Sequence, residues 1–313
     1  MKRFKNSSKR GNKQMNVLSL FDGIRCGRVA LERAGIEVNK YYSSEIDKNS
    51  IKIADKNYPQ DASYKLGDVS NWGKWNLPNI DLLIGGSPCR NLSKTATQGG
   101  SKNWANFEEG LNGDSKLFYY YLDILKTLKP KYFLFENVEM KKETEDVISE
   151  LFWCKPIIID SADFSAQNRK RLYWTNIKVG KIDNINNLKL IDILEEKVDE
   201  KYYYNIDYEC LESETLHCKL NFNFKAHDIA RRVYKTSVKS PTLTSCRGGN
   251  LQKKVFVNDR VRKLTPIEYE RLQTLPDNYT EGVSDTHRYN ALGDCWTVDV
   301  IAHILKGANN EKI

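Results

Sequence analysis

Short apolar runs alternate with stretches of helical period along the first half of the chain. Asn16-Val17-Leu18-Ser19-Leu20 is a β-type run, after which Val29, Ala30, Leu31 and Ala34 recur at helical spacing until Gly35. Tyr41-Tyr42-Ser43-Ser44 predicts a second strand, with a helix starting near Asp47. Asp81-Leu82-Leu83-Ile84 predicts a buried strand that runs straight into the tight turn Gly85-Gly86-Ser87-Pro88-Cys89. Leu117, Phe118, Tyr121, Leu122, Leu125 and Leu128 form the stripe of a core-facing helix, which Asp114 or Ser115 would cap. Lys131-Tyr132-Phe133-Leu134-Phe135 is a further buried strand, followed by a helix near 143–152 and a strand over Pro156–Asp160. Gln167–Thr175 reads as extended, with Arg169 and Arg171 on one face and Leu172 and Trp174 on the other.

This rhythm predicts an α/β fold opening on a nucleotide-type unit. It covers 15–178 and fails from about residue 179. Residues 179–263 read as a smaller, irregular, β-containing domain, in which Ser240–Gly249 forms strand and loop. Helical spacing returns in Leu264–Leu275 and Trp296–Leu305, so 264–313 rejoins the first domain. Residues 1–14 lack periodicity and read as a disordered arm, and Met15, where the folded pattern begins, is an alternative start.

Polar residues gather where the predicted strands end. Phe21-Asp22-Gly23-Ile24-Arg25-Cys26-Gly27 makes a strand–turn–helix that suits an adenosyl group, yet it lacks the Gly-x-Gly-x-x-Gly of a pyrophosphate site. Glu45, at the next strand end, stands where an acid accepts hydrogen bonds from ribose hydroxyls. Asp68 would take an adenine amino group or cap a turn. Cys89 lies just past an apolar run, where a functional thiol competes with a bland one. Glu136, delivered to the same edge by an apolar strand, is suited to donating a proton. Arg169 and Arg171 suit phosphate or carbonyl oxygens, or pairing with structural acids. The polar, glycine-bearing stretch 94–113 reads as a lid over a substrate or as a surface excursion.

Charge narrows the choice of partner. Residues 1–14 hold six bases and no acid, 183–214 hold ten acids against three bases, and 225–263 hold eleven bases against two acids. A basic block of that kind predicts a surface facing a polyanion, with a solvated face as the bland alternative. Seven cysteines without a Cys-x-x-Cys pair predict reduced thiols, and Cys210, His217 and Cys218 fit no zinc spacing. No apolar run approaches the ~20 residues of a membrane span, and no signal-peptide core follows Met1.

Taken in order, Phe21–Gly27, Glu45, Asp68, Pro88-Cys89, Glu136-Asn137-Val138, Gln167-x-Arg169-x-Arg171, Leu264-Thr265-Pro266 and Gly293–Val298 resemble the cytosine-C5 DNA methyltransferase family. The wording of the blocks is similar to that of animal de novo enzymes and their phage and bacterial relatives. The resemblance implies a Rossmann-like methyltransferase domain with a target-recognition domain. It implies S-adenosyl-L-methionine as cofactor, S-adenosyl-L-homocysteine as product and double-stranded DNA as partner. It also implies a chain monomeric on DNA and needing no metal, in the cytoplasm of a prokaryotic or phage-infected cell or in a eukaryotic nucleus.

Roles carry over position by position. Phe21, Asp22, Gly23, Ile24 and Gly27 match the cofactor loop, Glu45 the ribose ligand, Ile46 an adenine contact, and Asp68 with Val69 the adenine-amino site. Asp294, Cys295 and Trp296 match the block that returns to the cofactor from the C terminus. Cys89 matches the nucleophile that adds to cytosine C6, Glu136 the group at N3, and Arg171 with Arg169 the anchor of O2 and a nearby phosphate. DNA contacts are expected at Arg90, Ser93, Arg231, Arg232, Lys235 and the loop Arg247-Gly248-Gly249.

Three positions depart from the family pattern. Arg90 replaces the usual glutamine or asparagine, Asp294 the usual asparagine, and Thr274 a glycine. Relatives that methylate tRNA carry a Cys-Phe-Thr tripeptide that is missing here. A catalytically inactive DNA-binding regulator is disfavoured by the retention of Cys89, Glu136 and both arginines. An NAD-dependent oxidoreductase is disfavoured by the absent Gly-x-Gly-x-x-Gly.

Overall fold

Four apolar stretches that alternate between two faces build the centre of the molecule. The computed structural model describes residues 14–88, 117–183, 185–248 and 250–310. Strands β1 (Met15–Leu20), β2 (Val38–Ser44), β3 (Leu82–Gly85), β4 (Tyr132–Val138), β5 (Ile157–Asp160) and β6 (Lys170–Thr175) form one sheet in the order β2-β1-β3-β4-β6-β5. The first four run parallel, and β6 is antiparallel to both β4 and β5. The strand order reverses between β1 and β3, and the crevice outside the carboxyl ends at such a point is where α/β sheets hold ligands.

Alternation along the strands gives each face its own core. Val17, Leu82, Ile84, Tyr132, Leu134 and Tyr173 face the side covered by α1 (Cys26–Arg33) and, from far along the chain, α8 (Val298–Asn310). Leu18, Leu83, Phe133, Phe135, Leu172 and Trp174 face α3 (Leu117–Leu128) and α4 (Lys142–Phe152). On that second face Phe118, Tyr121, Phe135, Phe152 and Trp174 pack with ring centroids 4.8–6.1 Å apart, mostly tilted or edge to face. The Tyr121 hydroxyl donates towards the carbonyls of Leu83 and Leu134, pinning α3 across β3 and β4.

A second sheet, in the order β11-β10-β9-β8-β7, contains β7 (Tyr208–Cys210), β8 (Leu216–Leu220), β9 (Arg232–Tyr234), β10 (Lys254–Val257) and β11 (Arg260–Lys263). Its small inner cluster is Cys218, Leu220, Val233 and Val261. Tyr234, Leu243 and Val255 instead join the core of the first sheet, so the two sheets share apolar packing. Polar staples reinforce that junction. The Lys239 ammonium donates to the carbonyls of Ala162, Ser165, Asn186 and Leu188 at 2.8–3.1 Å. Arg262 and Glu268, 1% and 0% exposed, form a two-pronged ion pair that also fixes the start of α6 (Pro266–Leu272).

Three predicted elements differ in extent. Glu136 and Val138 lie inside β4 rather than past its end, because β6 continues the pairing as far as Val138–Arg171. The described part of the stretch predicted over Ser240–Gly249, residues 240–248, is not a strand; among the described residues its one bridge is Ser240–Gln167. The helix predicted over Leu264–Leu275 is the shorter α6, capped by Thr265 and followed by a turn with Thr274 at φ +54°. That left-handed backbone accounts for the family's glycine at this position. The Thr274 hydroxyl accepts the Asp299 N–H at 2.9 Å and so helps to start α8.

The C-terminal block is docked by close backbone packing. A Cβ on Gly293, in α7 (Asp285–Asp294), would lie 2.2 Å from the Thr244 carbonyl group. Gly293→Ala therefore forces two backbones apart and is expected to lower the unfolding free energy by roughly 2–3 kcal/mol. Urea denaturation checks this, and an unchanged midpoint would contradict the packing.

Candidate active site

The turn after β1 is built around a buried acid. Gly23 has φ +57° and its N–H donates to Glu45 Oε2 at 2.8 Å, so the end of β2 holds the loop that follows β1. Glu45 Oε1 accepts the N–H groups of Ile46 and Asp47 at 2.7 and 2.8 Å. The Asp22 side chain is 2% exposed and accepts the Tyr41 hydroxyl at 2.6 Å. Burial raises its pKa from an ordinary 3.8 to about 6, against the opposing pull of Ser19, Tyr41 and Arg25. Arg25 sits beneath the turn, itself left-handed at φ +63°, and donates to the Tyr58 carbonyl at 2.9 Å.

Beside the turn lies a small cleft lined by Asp22, Gly23, Arg25, Ser43, Glu45, Ile51, Ala54 and Lys65. Gly27 lets its neighbours pack closely, because a Cβ there would meet Ile84 at 2.6 Å and Tyr41 at 3.1 Å. Ile46, next to Glu45 in the chain and 70% exposed, presents an apolar surface suited to a flat ring. Asp68 caps the next turn by accepting the Ser70 N–H at 2.8 Å through one oxygen, while Val69 beside it is buried. Backbone, carboxylate and apolar surface together suit an adenosyl ligand.

The second cluster forms between β3, β4 and β6. Glu136, 12% exposed, receives Arg171 Nε at 3.1 Å on Oε1 and Trp296 Nε1 at 3.2 Å on Oε2. Parallel pairing of Gly85 with Phe135 sets Gly86 beside the acid, where an added Cβ would come within 2.8 Å of Oε2. Asn137 Nδ2 lies 3.5 Å from the Ser87 carbonyl and hydroxyl oxygens, linking this strand end to the turn before Cys89. Cys89, Arg90, Ser93, Gly249 and the stretch 94–113 lie outside the described residues.

A sequence model described as C-5 cytosine-specific DNA methylase matches residues 15–310. The chain belongs to this family. Among its relatives, the orphan methyltransferase M.SPRI of Bacillus phage SPR is 31% identical, over 76% of this chain and 66% of that protein. The orphan methyltransferase M.Rho11sI of Bacillus phage rho11s is 32% identical over 61% of this chain, which spans only 45% of it. The fold of the Entamoeba histolytica methyltransferase EhMeth matches with a TM-score of 0.69 at 18% identity, covering 96% of this chain and all of that one.

In this member of the family, one of the expected anchors is differently employed. Arg169 is 5% exposed and donates to the carbonyls of Leu243, Gly293 and Cys295 at 2.9–3.3 Å, so its guanidinium is a structural bolt rather than a ligand for cytosine. Burial, with help from Arg171, lowers its pKa to about 10. In the returning block, the Cys295 thiol points into the core, where burial pushes its pKa well up. Asp294 is exposed and accepts the Ser245 hydroxyl. Trp296 is the member of that block whose ring reaches both Glu136 and the Gly27 turn. The sequence offered no signal for the Arg25 support or for the Trp296–Glu136 bond, since both depend on partners distant along the chain.

The basic block is also less free than its composition implied. Lys239 and Arg262 are held internally, and Lys253 and Lys254 are buried at 7% and 0% exposure. Arg260 pairs with Glu200 from the acidic segment, and Arg232 shares Asp228 with Lys219. Arg232, expected at a DNA contact, is thus charge-paired while its side chain stays 40% exposed. Among the described residues the partners of Arg231, Lys235 and Arg247 are neutral: Leu220 and Asn221, Ser213, and Asn290. Gly248 follows at φ +131°. No metal-binding group of His, Cys, Asp or Glu occurs among the described residues, and none of their helices is long and apolar enough to cross a membrane.

The raised Asp22 pKa has a definite sign. The folded state retains a proton that the unfolded chain has lost, so this group's contribution to stability falls as pH rises from about 4 to about 6 and is flat above that. Carboxyl carbon NMR should find the Asp22 midpoint near 6. A midpoint in the ordinary carboxylate range would show that the turn is open to water.

Proposed function

We propose that this chain transfers a methyl group from S-adenosyl-L-methionine to C5 of a cytosine flipped out of duplex DNA, through a covalent bond between Cys89 and C6. The observation that carries the reading is the Glu136 carboxylate, held by Arg171 beside Gly86, which precedes Cys89 by three residues in the sequence. A base stacked in a duplex cannot offer its C6 face to a thiol, hence the flip.

Cytosine C5 is a weak nucleophile until C6 is saturated. Addition of the Cys89 thiolate to C6, with Glu136 hydrogen-bonding or protonating N3, turns C5 into an enamine carbon. Arg171 Nε stays with Glu136 and Nη1 donates to the Lys170 carbonyl at 2.8 Å, which leaves Nη2 to meet cytosine O2. When bound, the cofactor supplies an electrophilic methyl group, and C5 accepts it. A base then removes the C5 proton and elimination releases Cys89.

The turn residues Phe21, Asp22, Gly23, Ile24 and Gly27 would cradle the methionyl part, Glu45 the ribose, and Ile46, Asp68 and Val69 the adenine. Arg90, Ser93 and the 94–113 stretch would close on DNA, with Arg231, Lys235 and the Arg247–Gly249 loop gripping phosphates and base edges. The chain would act as a monomer in the compartment that holds its DNA.

The purified chain is expected to transfer labelled methyl groups to duplex DNA, with bisulfite sequencing showing 5-methylcytosine in a fixed context. Cys89→Ala should abolish transfer. Methylation of RNA alone, or undiminished activity of the alanine variant, would refute the proposal. Arg231→Ala and Lys235→Ala should each flatten the dependence of log K on log salt by about one unit, and Arg232→Ala by less. Equal slopes for all three variants would contradict the charge pairing described above.

A further inference from the structure

The indole of Trp296 spans the two halves of the site. Its Nε1–H donates to Glu136 Oε2 at 3.2 Å, and its ring edge would lie 3.4 Å from a Cβ placed on Gly27 in the first turn. Gly86 leaves the room for this, since a Cβ there would sit 2.8 Å from Oε2 and 3.2 Å from Nε1. Trp296 is also firmly based. The carbonyl of Cys295 before it accepts Arg169 at 3.0 Å, and the Thr297 hydroxyl after it joins Gln273 at 2.8 Å and Ser161 at 2.9 Å.

We propose that Trp296 is a positioning residue that acts through Glu136, a role resting on the methyl-transfer reading and additional to any contact with the cofactor. Among the described residues, a carboxylate on a side chain with three rotatable bonds would otherwise be held through one oxygen only, by Arg171 Nε at 3.1 Å. The indole N–H holds the other and fixes the plane of the carboxyl group against cytosine N3. Because the same ring rests against the Gly27 turn, the orientation of the acid is tied to the wall of the cofactor site.

Trp296→Phe keeps an aromatic ring and removes the donor. Steady-state kinetics of the full chain on duplex DNA should show kcat reduced roughly tenfold, the scale of a lost bond to a charged group, with KM for S-adenosyl-L-methionine within twofold of wild type. In single-turnover measurements on a Glu136→Gln background, the same change should cost nothing more, because the two residues act as one unit. An unchanged kcat, a defect confined to KM, or an equal loss on both backgrounds would overturn the proposal. Absence of methyl transfer by the wild type would instead overturn the proposed function. Should Trp296→Phe fail to fold, ¹⁵N NMR of the wild-type indole gives the answer. Its Nε1–H resonance should move when Glu136 becomes Gln, and an unmoved resonance would sink the idea.

Discussion

Everything at the active edge depends on the three carbonyls gathered by Arg169. Leu243, Gly293 and Cys295 come from a loop and from the start of the C-terminal block, and one buried guanidinium from the end of the sheet joins them. Without it, each carbonyl would lose a donor in a region closed to water, with Cys295 keeping Gln273 Nε2 at 3.3 Å, and an unsatisfied buried polar group is costly. With it, the block is seated, Trp296 is directed at Glu136, and α8 lies across α1. The close approach of Gly293 to Thr244 makes the same joint from the backbone side.

The site then follows from sheet geometry. Parallel pairing places the ends of β1, β2, β3 and β4 side by side, and the reversal of order between β1 and β3 opens a crevice there. Glycines at 27 and 86 keep the crevice narrow enough for Trp296 to touch both walls. Antiparallel β6 brings Arg171 against Glu136 from the other side. A family whose members act on a base, a methyl donor and a nucleophile together requires such convergence, and distant parts of the chain supply it.

Much of this was legible in the sequence, for a physical reason. Strand runs, glycine turns and amphipathic stripes are local patterns, so the α/β order and the position of Glu45 just past a strand could be read directly, whereas β6 pairing carried β4 on through Glu136. The alternation of Arg169 and Arg171 against Leu172 and Trp174 also followed from strand period alone. What Arg169 does could not be read, because its acceptors lie 74 to 126 residues further on. The basic segment misled for a related reason. A count of charges does not see Lys239 among four carbonyls or Arg262 closed on Glu268, so the segment presents fewer unpaired cations than composition implied.

The central claim is that Cys89, which follows the Gly86–Pro88 turn in sequence, forms a bond to cytosine during methyl transfer. Duplex DNA with 5-fluorocytosine at the target tests it most directly, because fluorine cannot leave C5 as a proton and elimination stalls. The account predicts a one-to-one complex that resists denaturation, requires S-adenosyl-L-methionine, and maps by mass spectrometry to the peptide containing Cys89. An adduct on any other residue, or none from an enzyme that methylates ordinary DNA, would contradict it.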